Sequence, residues 1–151
     1  MGYFPTGVTI ATTWRDGAPL GATINAFCSV SLEPPLLLIC LAYANPLYGP
    51  LQSCGVFGVN ILAHKDGQAL ARHFAVSPED RRFEGHDWSA GASGAPKLAC
   101  APVFIDCAFE AEHAAGDHAV IIGRGVSVSH DPSVPPLLYH RGTFPGPLSD
   151  V

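Results

Sequence analysis

The residues best suited to chemistry lie in Leu20-Gly-Ala-Thr-Ile-Asn-Ala-Phe-Cys-Ser-Val-Ser-Leu-Glu-Pro-Pro35 and, far downstream, in Gly116-Asp117-His118. Written as an extended strand, the first stretch sends alternate side chains to opposite faces. One face carries Leu20, Ala22, Ile24, Ala26, Cys28, Val30 and Leu32, all small or apolar. The other carries Thr23, Asn25, Ser29 and Ser31, with Phe27 among them. That second face offers short hydrogen-bonding groups and no charge before Glu33, whereas a solvent face normally includes Lys, Arg or Glu. It is built to meet something polar and neutral, provided that no turn interrupts the run.

Other chemistries fit less well. The seven histidines invite a metal, but none stands in H-E-x-x-H or another compact pairing with a carboxylate. His113 and His118 face opposite ways in a continuous strand, so no metal is expected. No G-x-S-x-G elbow surrounds Ser29 or Ser31, which argues against hydrolysis. Taken alone, Gly116-Asp117-His118 is a turn with His118 opening the next strand. Tyr139-His-Arg-Gly-Thr-Phe144 is likewise an aromatic strand with a glycine. The five cysteines are odd in number, scattered and free of any C-x-x-C. Cys28, Cys40 and Cys107 sit in apolar strand-like runs and are expected to act as small packing residues in a reducing, cytoplasmic setting.

The elements that must position these residues are mostly strands. Val8, Ile10 and Thr12 alternate with Thr9, Ala11 and Thr13, and Asp16-Gly17 signals a turn. After the polar-faced strand, Pro34-Pro35 interrupts any ladder. Leu36 to Ala42 reads as a strand buried on both faces. Asn45 to Pro50 reads as a loop and Gly55 to Leu62 as a further strand. The best helix runs from about Lys65 to Phe74, through Ala69, Leu70, His73 and Phe74. Ser77-Pro78-Glu79-Asp80 is an N-cap signal for a short turn holding Arg81 and Phe83. Ser89 to Pro96 reads as a Gly/Ala/Ser loop. Strands resume at Val103 to His113, His118 to Ser129 and Leu137 to Phe144. Six or seven strands against one substantial helix predict a mainly β fold: a closed antiparallel split β-barrel with Greek-key character and one or two short helices. No linker or repeat divides the chain, so residues 1–151 are read as one domain.

Composition narrows the function. Only 14% of residues are charged and 48% are hydrophobic, which excludes disorder and implies that much surface is hidden, in an oligomer. A net charge of −5 argues against a general nucleic-acid binder. Arg72, Arg81 and Arg82 form the only local basic cluster. No apolar run reaches the roughly 18 to 20 residues that span a bilayer. Nor does the N-terminal sequence carry a secretory leader, so neither a membrane nor secretion is expected.

In order along the chain stand Phe4-Pro-Thr-Gly-Val-Thr-Ile-Ala-Thr-Thr13, Gly21-Ala-Thr-Ile-Asn-Ala-Phe27, Ser29-Val-Ser-Leu-Glu-Pro-Pro35, Phe57-Gly-Val-Asn-Ile-Leu62, Gln68-Ala-Leu-Ala71 with Phe74, Arg82-Phe83, Gly116-Asp-His118 and Leu138-Tyr-His-Arg-Gly-Thr-Phe144. Each segment alone is weak. As an ordered set covering almost the whole chain, they resemble the flavin reductase family with the split-barrel flavin-binding fold, the reductase partners of two-component flavin monooxygenases. The resemblance implies a homodimer with flavin in a groove near the dimer interface. It also implies NAD(P)H-dependent reduction of free or loosely bound flavin, FMN or FAD, with NADH or NADPH as hydride donor and a separate oxygenase as recipient.

The same resemblance carries flavin contacts onto Thr6, Thr23, Asn25, Ala26, Phe27, Ser29, Ser31 and Leu32, and onto Phe83 beside Arg82. It carries nicotinamide contacts onto His118, the expected catalytic residue, and onto Tyr139 and Arg141. Where the family tends to place an Asn followed by Ser and Thr near the flavin phosphate, this chain has Asn45-Pro-Leu-Tyr48. Asn45 and Tyr48 are the donors left to substitute. Arg72, Arg124 and Arg141 are the candidates to meet a 2′-phosphate. The alternative reading is a non-catalytic flavin- or haem-binding split-barrel protein, a carrier or sensor.

Overall fold

The computed structural model describes residues 2–147. Asp16 and Gly17 both take positive φ, 51° and 80°, the left-handed geometry a two-residue hairpin turn needs. They join strand β2 (Thr9–Arg15) to β3 (Ala18–Ile24). Strands β4 (Phe27–Leu32), β5 (Pro35–Ala42), β6 (Val56–Ile61), β9 (Val103–Ala115) and β10 (His118–His130) complete one antiparallel sheet in the order β3-β2-β6-β9-β10-β5-β4. Two small ribbons lie outside it, β1 (Thr6–Gly7) with β11 (Leu138–Tyr139), and β7 (Trp88–Ala90) with β8 (Pro96–Leu98). Helix α1 covers Tyr48–Cys54 and α2 covers His64–Val76, followed by a 3-10 turn at Glu79–Arg81.

The two edges of the large sheet, β3 and β4, are consecutive in sequence and joined by Asn25 and Ala26 alone. The sheet must therefore curl until those edges meet. Among the described residues no ladder links them, so the expected closed barrel is corrected to a curled, open sheet. The reason is local. The Phe27 amide turns back onto the Asn25 carbonyl, and the Ala26 carbonyl accepts from the Cys40 amide. The chain thus leaves β2 at Ile24 and joins β5 at Phe27, bringing β3 and β4 end to end rather than side by side.

The concave side is filled by Leu20, Ala22, Ile24, Leu37, Ile39, Leu41, Phe57, Val59 and Ile121, with Leu47 and Leu51 of α1 closing one end. A second apolar cluster lies under α2, from Val8, Ile10, Leu70, Phe74 and Leu137. Buried Asn60 joins these layers: its Nδ2 donates to the Ile10 carbonyl and its Oδ1 accepts from the Leu98 amide. Both ends of the amide are thereby satisfied, which burial requires.

Several expectations change. The break at Asn25-Ala26, with a register shift between Ser29 and Ser31, reverses the phase of the polar-faced run. Phe27 packs on the core, while Cys28, Val30 and Leu32 turn outward. Cys28 is therefore not a packing residue. Asn45 to Pro50 is not all loop, because α1 begins at Tyr48. Pro50 stands in its first turn, where the missing N–H has no partner to lose. Ser77 does not cap the 3-10 turn; its hydroxyl pairs with His73 Nδ1. Ser89 to Pro96 is not all loop, because Ser89 and Ala90 belong to β7 and Pro96 opens β8. In β5, Leu37, Ile39 and Leu41 are buried while their alternates are half-buried. The last predicted strand shrinks to Leu138–Tyr139 plus a bridge between His140 and Thr143.

Candidate functional site

Where β3 ends and β4 begins, the neutral polar residues gather. Asn25 Nδ2 donates to Thr6 Oγ1 at 3.3 Å, and Thr6 sits opposite Tyr139 in the β1–β11 ribbon. Thr23 Oγ1 donates to the Ala71 carbonyl at 2.7 Å, tying β3 to α2. Two hollows flank Asn25. One, of about 390 Å³, is lined by Val8, Thr23, Asn25, Arg72, Tyr139 and Phe144 among others. The other, of about 320 Å³, is lined by Phe4, Pro5, Thr6, Asn25, Phe27 and Ile61 among others. No carboxylate lines either. β4 is also the end of the sheet, so among the described residues alternate backbone N–H and C=O groups of its outer side have no strand partner. The rim offers neutral donors and acceptors beside aromatic walls.

His118 opens β10 at the same rim. It pairs across to Ala42 of β5, while Ala26 bonds Cys40 on the other side of β5. His118 therefore stands two strands from the β3–β4 junction, roughly 10 Å across the sheet. Its Nδ1 lies 2.6 Å from Asp117 Oδ1. The hydrogen bond from His118, then its charge, hold the Asp117 carboxyl below the ordinary aspartate range. An ionised carboxylate only accepts, so His118 Nδ1 donates, and Nε2 on the far side of the ring has no hydrogen bond among the described residues. In a neutral ring with its proton on Nδ1, Nε2 is an acceptor.

The other predicted residues are distributed differently. Ser29, Ser31 and Leu32 lie further along β4, Ser31 half-buried and Leu32 fully outward. Arg82 is buried, and its Nε and Nη1 donate to the Ser77 and Gly21 carbonyls. Phe83 packs edge-on against Phe74 and Trp88, beside the middle of β3 rather than its Asn25 end. Asn45 Oδ1 accepts from the Leu47 amide and so organises the entry to α1. The Tyr48 hydroxyl donates to Glu112, which pushes the phenol above its ordinary value. Arg141 has positive φ, 51°, and its guanidinium lies over the Tyr3 ring at 4.7 Å. Among the described residues no group of three His, Cys, Asp or Glu side chains is placed to hold a metal.

Apart from Arg72, named above as a candidate for a 2′-phosphate, sequence reasoning missed the contribution of α2 to this rim. Ala71, Arg72 and Ala75 line the larger hollow, and Phe144 packs on Tyr139 at its far wall. Residues 71 and 75 are one helical turn apart, so the spacing of small side chains on α2 was the available signal.

The chain as a whole is similar to known proteins in sequence and in fold. Residues 1–147 match the profile of the family described as flavin reductase like domain. The chain belongs to this family. Among its flavin reductase relatives, the reductase subunit HsaB of a flavin-dependent monooxygenase from Rhodococcus jostii (strain RHA1) is 39% identical over 97% of this chain and 74% of that protein. A flavin reductase (NADH) from Kitasatospora aureofaciens is 40% identical over 95% of this chain and 76% of that protein. Among solved structures, the Streptomyces globisporus C-1027 NADH:FAD oxidoreductase SgcE6 in complex with NAD and FAD fragments gives a TM-score of 0.89. It is 37% identical, and the match covers 99% of this chain and 90% of that one.

Proposed function

We propose that the chain is an NAD(P)H-dependent flavin reductase that supplies reduced flavin to a separate flavin-dependent oxygenase. Besides family membership, the observation that carries this reading is the junction of β3 and β4. There Thr6, Asn25 and the free edge of β4 present neutral polar groups next to Phe27 and Tyr139. A flavin ring system needs neutral hydrogen-bonding partners along its polar edge and apolar contact on its faces, and these residues fit that need.

Hydride transfer from reduced nicotinamide to flavin N5 is the chemistry the two cofactors supply when bound. The work left to the chain is to orient and to exclude. Asn25, Ala26 and Phe27 hold the polar edge; Ser29 and Ser31 extend the contact along β4, and Leu32 covers one side. His118 Nε2, made an acceptor by the Asp117 bond, accepts from the nicotinamide carboxamide N–H and sets the ring's approach. Tyr139 and Arg141 flank it. Asn45 Oδ1, Tyr48 Oη and two nitrogens of Arg82 already serve partners within the chain. Phosphate binding there is correspondingly loose, as suits a flavin that is released after reduction.

The active unit is a homodimer. Leu32 is 93% exposed, Val128 64%, Val126 50% and Val30 49%, and these side chains on β4 and β10 are apolar. Residues of that kind at such exposure favour a cover, and a second copy supplies one next to the flavin groove.

The test is NADH and NADPH oxidation by purified protein in air, with FMN, FAD and riboflavin added in turn. Flavin-dependent oxidation over many turnovers is the expected result. Flavin binding without turnover would replace this reading with the carrier or sensor.

A further inference from the structure

The hollow of about 390 Å³ beside Asn25 contains one cation, Arg72, and the fate of every other basic residue leaves it distinct. Arg15 pairs with Glu79, Arg124 with Glu110, and Arg82 is buried on backbone carbonyls. Lys97 donates to Ser129, Arg141 lies over Tyr3, Lys65 lines a different cavity, and Arg81 stands on the 3-10 turn away from both hollows. Arg72 makes no salt bridge or hydrogen bond among the described residues, and its only recorded contact of charge is with the Phe144 ring, 5.7 Å from the centroid. That contact, with Phe144 itself packed on Tyr139 at 5.4 Å, sets the guanidinium against the aromatic wall of the hollow.

The rest of the lining says what such a cation is for. Val8, Ala71, Ala75, Tyr139 and Phe144 make an apolar and aromatic wall, and Asn25 provides the neutral polar contact. Thr23 Oγ1 already donates to Ala71, so Arg72 is the strong donor that remains. An aromatic wall, one neutral amide and one fork of N–H donors complement a flat body carrying an anionic tail. The volume lies near the lower end of the roughly 300–1,000 Å³ usual for small-molecule sites, room for one nucleotide half rather than a whole dinucleotide. The chain as a whole carries a net charge of −5 and repels such a ligand, so a local cation matters more here than on a basic protein.

We infer that Arg72 is the phosphate anchor of this site, binding a phosphate of a nucleotide held in the hollow that Arg72 shares with Asn25. This rests on the reductase reading for the kind of ligand, but not on turnover. The phosphate is either the flavin's or the nicotinamide nucleotide's, and the measurement separates them.

Binding of riboflavin, FMN, FAD, NADH and NADPH is titrated directly by fluorescence, for wild type, Arg72→Gln, Arg72→Lys and the control Arg81→Gln, with circular dichroism to establish folding. Arg72→Gln is expected to weaken a phosphate-bearing ligand about ten-fold, the low end for a charge-assisted hydrogen bond because Arg72 is exposed. Riboflavin should bind as before, Arg72→Lys should retain most of the affinity, and the salt dependence of binding should shrink in Arg72→Gln. A selective loss for FMN and FAD assigns the flavin phosphate. A loss for NADPH alone assigns the 2′-phosphate, and an equal loss for NADH and NADPH the pyrophosphate. Unchanged affinities for every ligand, or an equal loss that includes riboflavin, would overturn the anchor. If wild type binds flavin without oxidising NADH, the reductase reading fails while the anchor is still decided by these titrations. If wild type turns over and Arg72→Gln binds everything normally, the anchor fails alone.

Discussion

At the residue scale one imidazole, that of His118, carries the proposed contact with the nicotinamide. Asp117 Oδ1 lies 2.6 Å from His118 Nδ1, and in the proposed reading the opposite ring nitrogen, Nε2, meets the nicotinamide carboxamide. Replacing His118 by Ala should lower kcat/KM for NADH about ten-fold, the worth of one good hydrogen bond, while flavin affinity stays unchanged. Asp117→Ala should give a smaller loss of the same kind, because the ring remains but its orientation does not. Steady-state kinetics at varied NADH and fixed flavin read both. Cys107 supplies a second residue-level expectation. Burial, with a smaller contribution from the Asp106 charge, pushes its thiol up to about 12. In native protein at neutral pH, alkylation followed by mass spectrometry should modify the exposed Cys28 and Cys54 and spare Cys107. Modified Cys107 in folded protein would contradict the buried assignment. His118 stands out in the sequence because it sits in the Gly116-Asp117-His118 motif, and the kinetics of His118→Ala decide its role. The packing of Cys28 was not readable there, since its strand's phase depends on a break two residues earlier.

At the element scale the β3–β4 junction is where reading and structure part. Alternation located the polar face up to Asn25 correctly, because β3 is regular that far. Beyond it, the backbone turn at Asn25-Ala26 and the bulge in β4 reset the period; a single Asn with no Gly or Pro beside it is a weak turn signal, and the bulge has no glycine to mark it. Helix α1 was hidden for a different reason. Its seven residues include Gly49 and Pro50, both poor helix formers, and only the burial of Leu51 against the core makes the turn worthwhile.

Two packing predictions belong to this scale. A Cβ at Gly123 of β10 would collide with the Phe57 ring, which is fully buried. Gly123→Ala should therefore destabilise the fold by about 1–3 kcal/mol, measurable by chemical denaturation, whereas a stability equal to wild type would mean that Phe57 has room to move. Across the β9–β10 pair, Arg124 holds Glu110 through two hydrogen bonds of 2.9 and 2.7 Å and lowers its carboxyl below the ordinary range, mainly by hydrogen bonding. A lowered carboxylate stabilises the fold above its unfolded value and loses that contribution as pH falls through its folded value. The Tm of wild type should accordingly exceed that of Glu110→Gln at neutral pH. The gap should close as the pH drops below about 4, the ordinary Glu range, and shrink in high salt because the pair is exposed.

At the scale of the whole molecule, the order of motifs made the family legible, and mainly β composition followed from the strand count. How the sheet ends was not legible, because closure depends on whether β3 and β4 run side by side, a matter of two linker residues. Surface use shows the same division. Low charge content predicts hidden surface, and the structure locates exposed apolar side chains on β4 and β10 that a second copy would hide. If a second copy covers them, light scattering should return the mass of a dimer, and Leu32→Asp with Val128→Asp should return a monomer with weakened flavin binding. A monomeric wild type would remove the dimer from the account.

The most direct measurement is anaerobic rapid mixing of the protein and oxidised FAD or FMN with NADH, followed by flavin absorbance. Bleaching of one flavin per NADH, far faster than in a protein-free control and slowed when the transferred hydrogen is deuterium, is the predicted result. Bleaching no faster than the control with every flavin and either nicotinamide nucleotide would contradict the claim that this chain orients the two rings for hydride transfer.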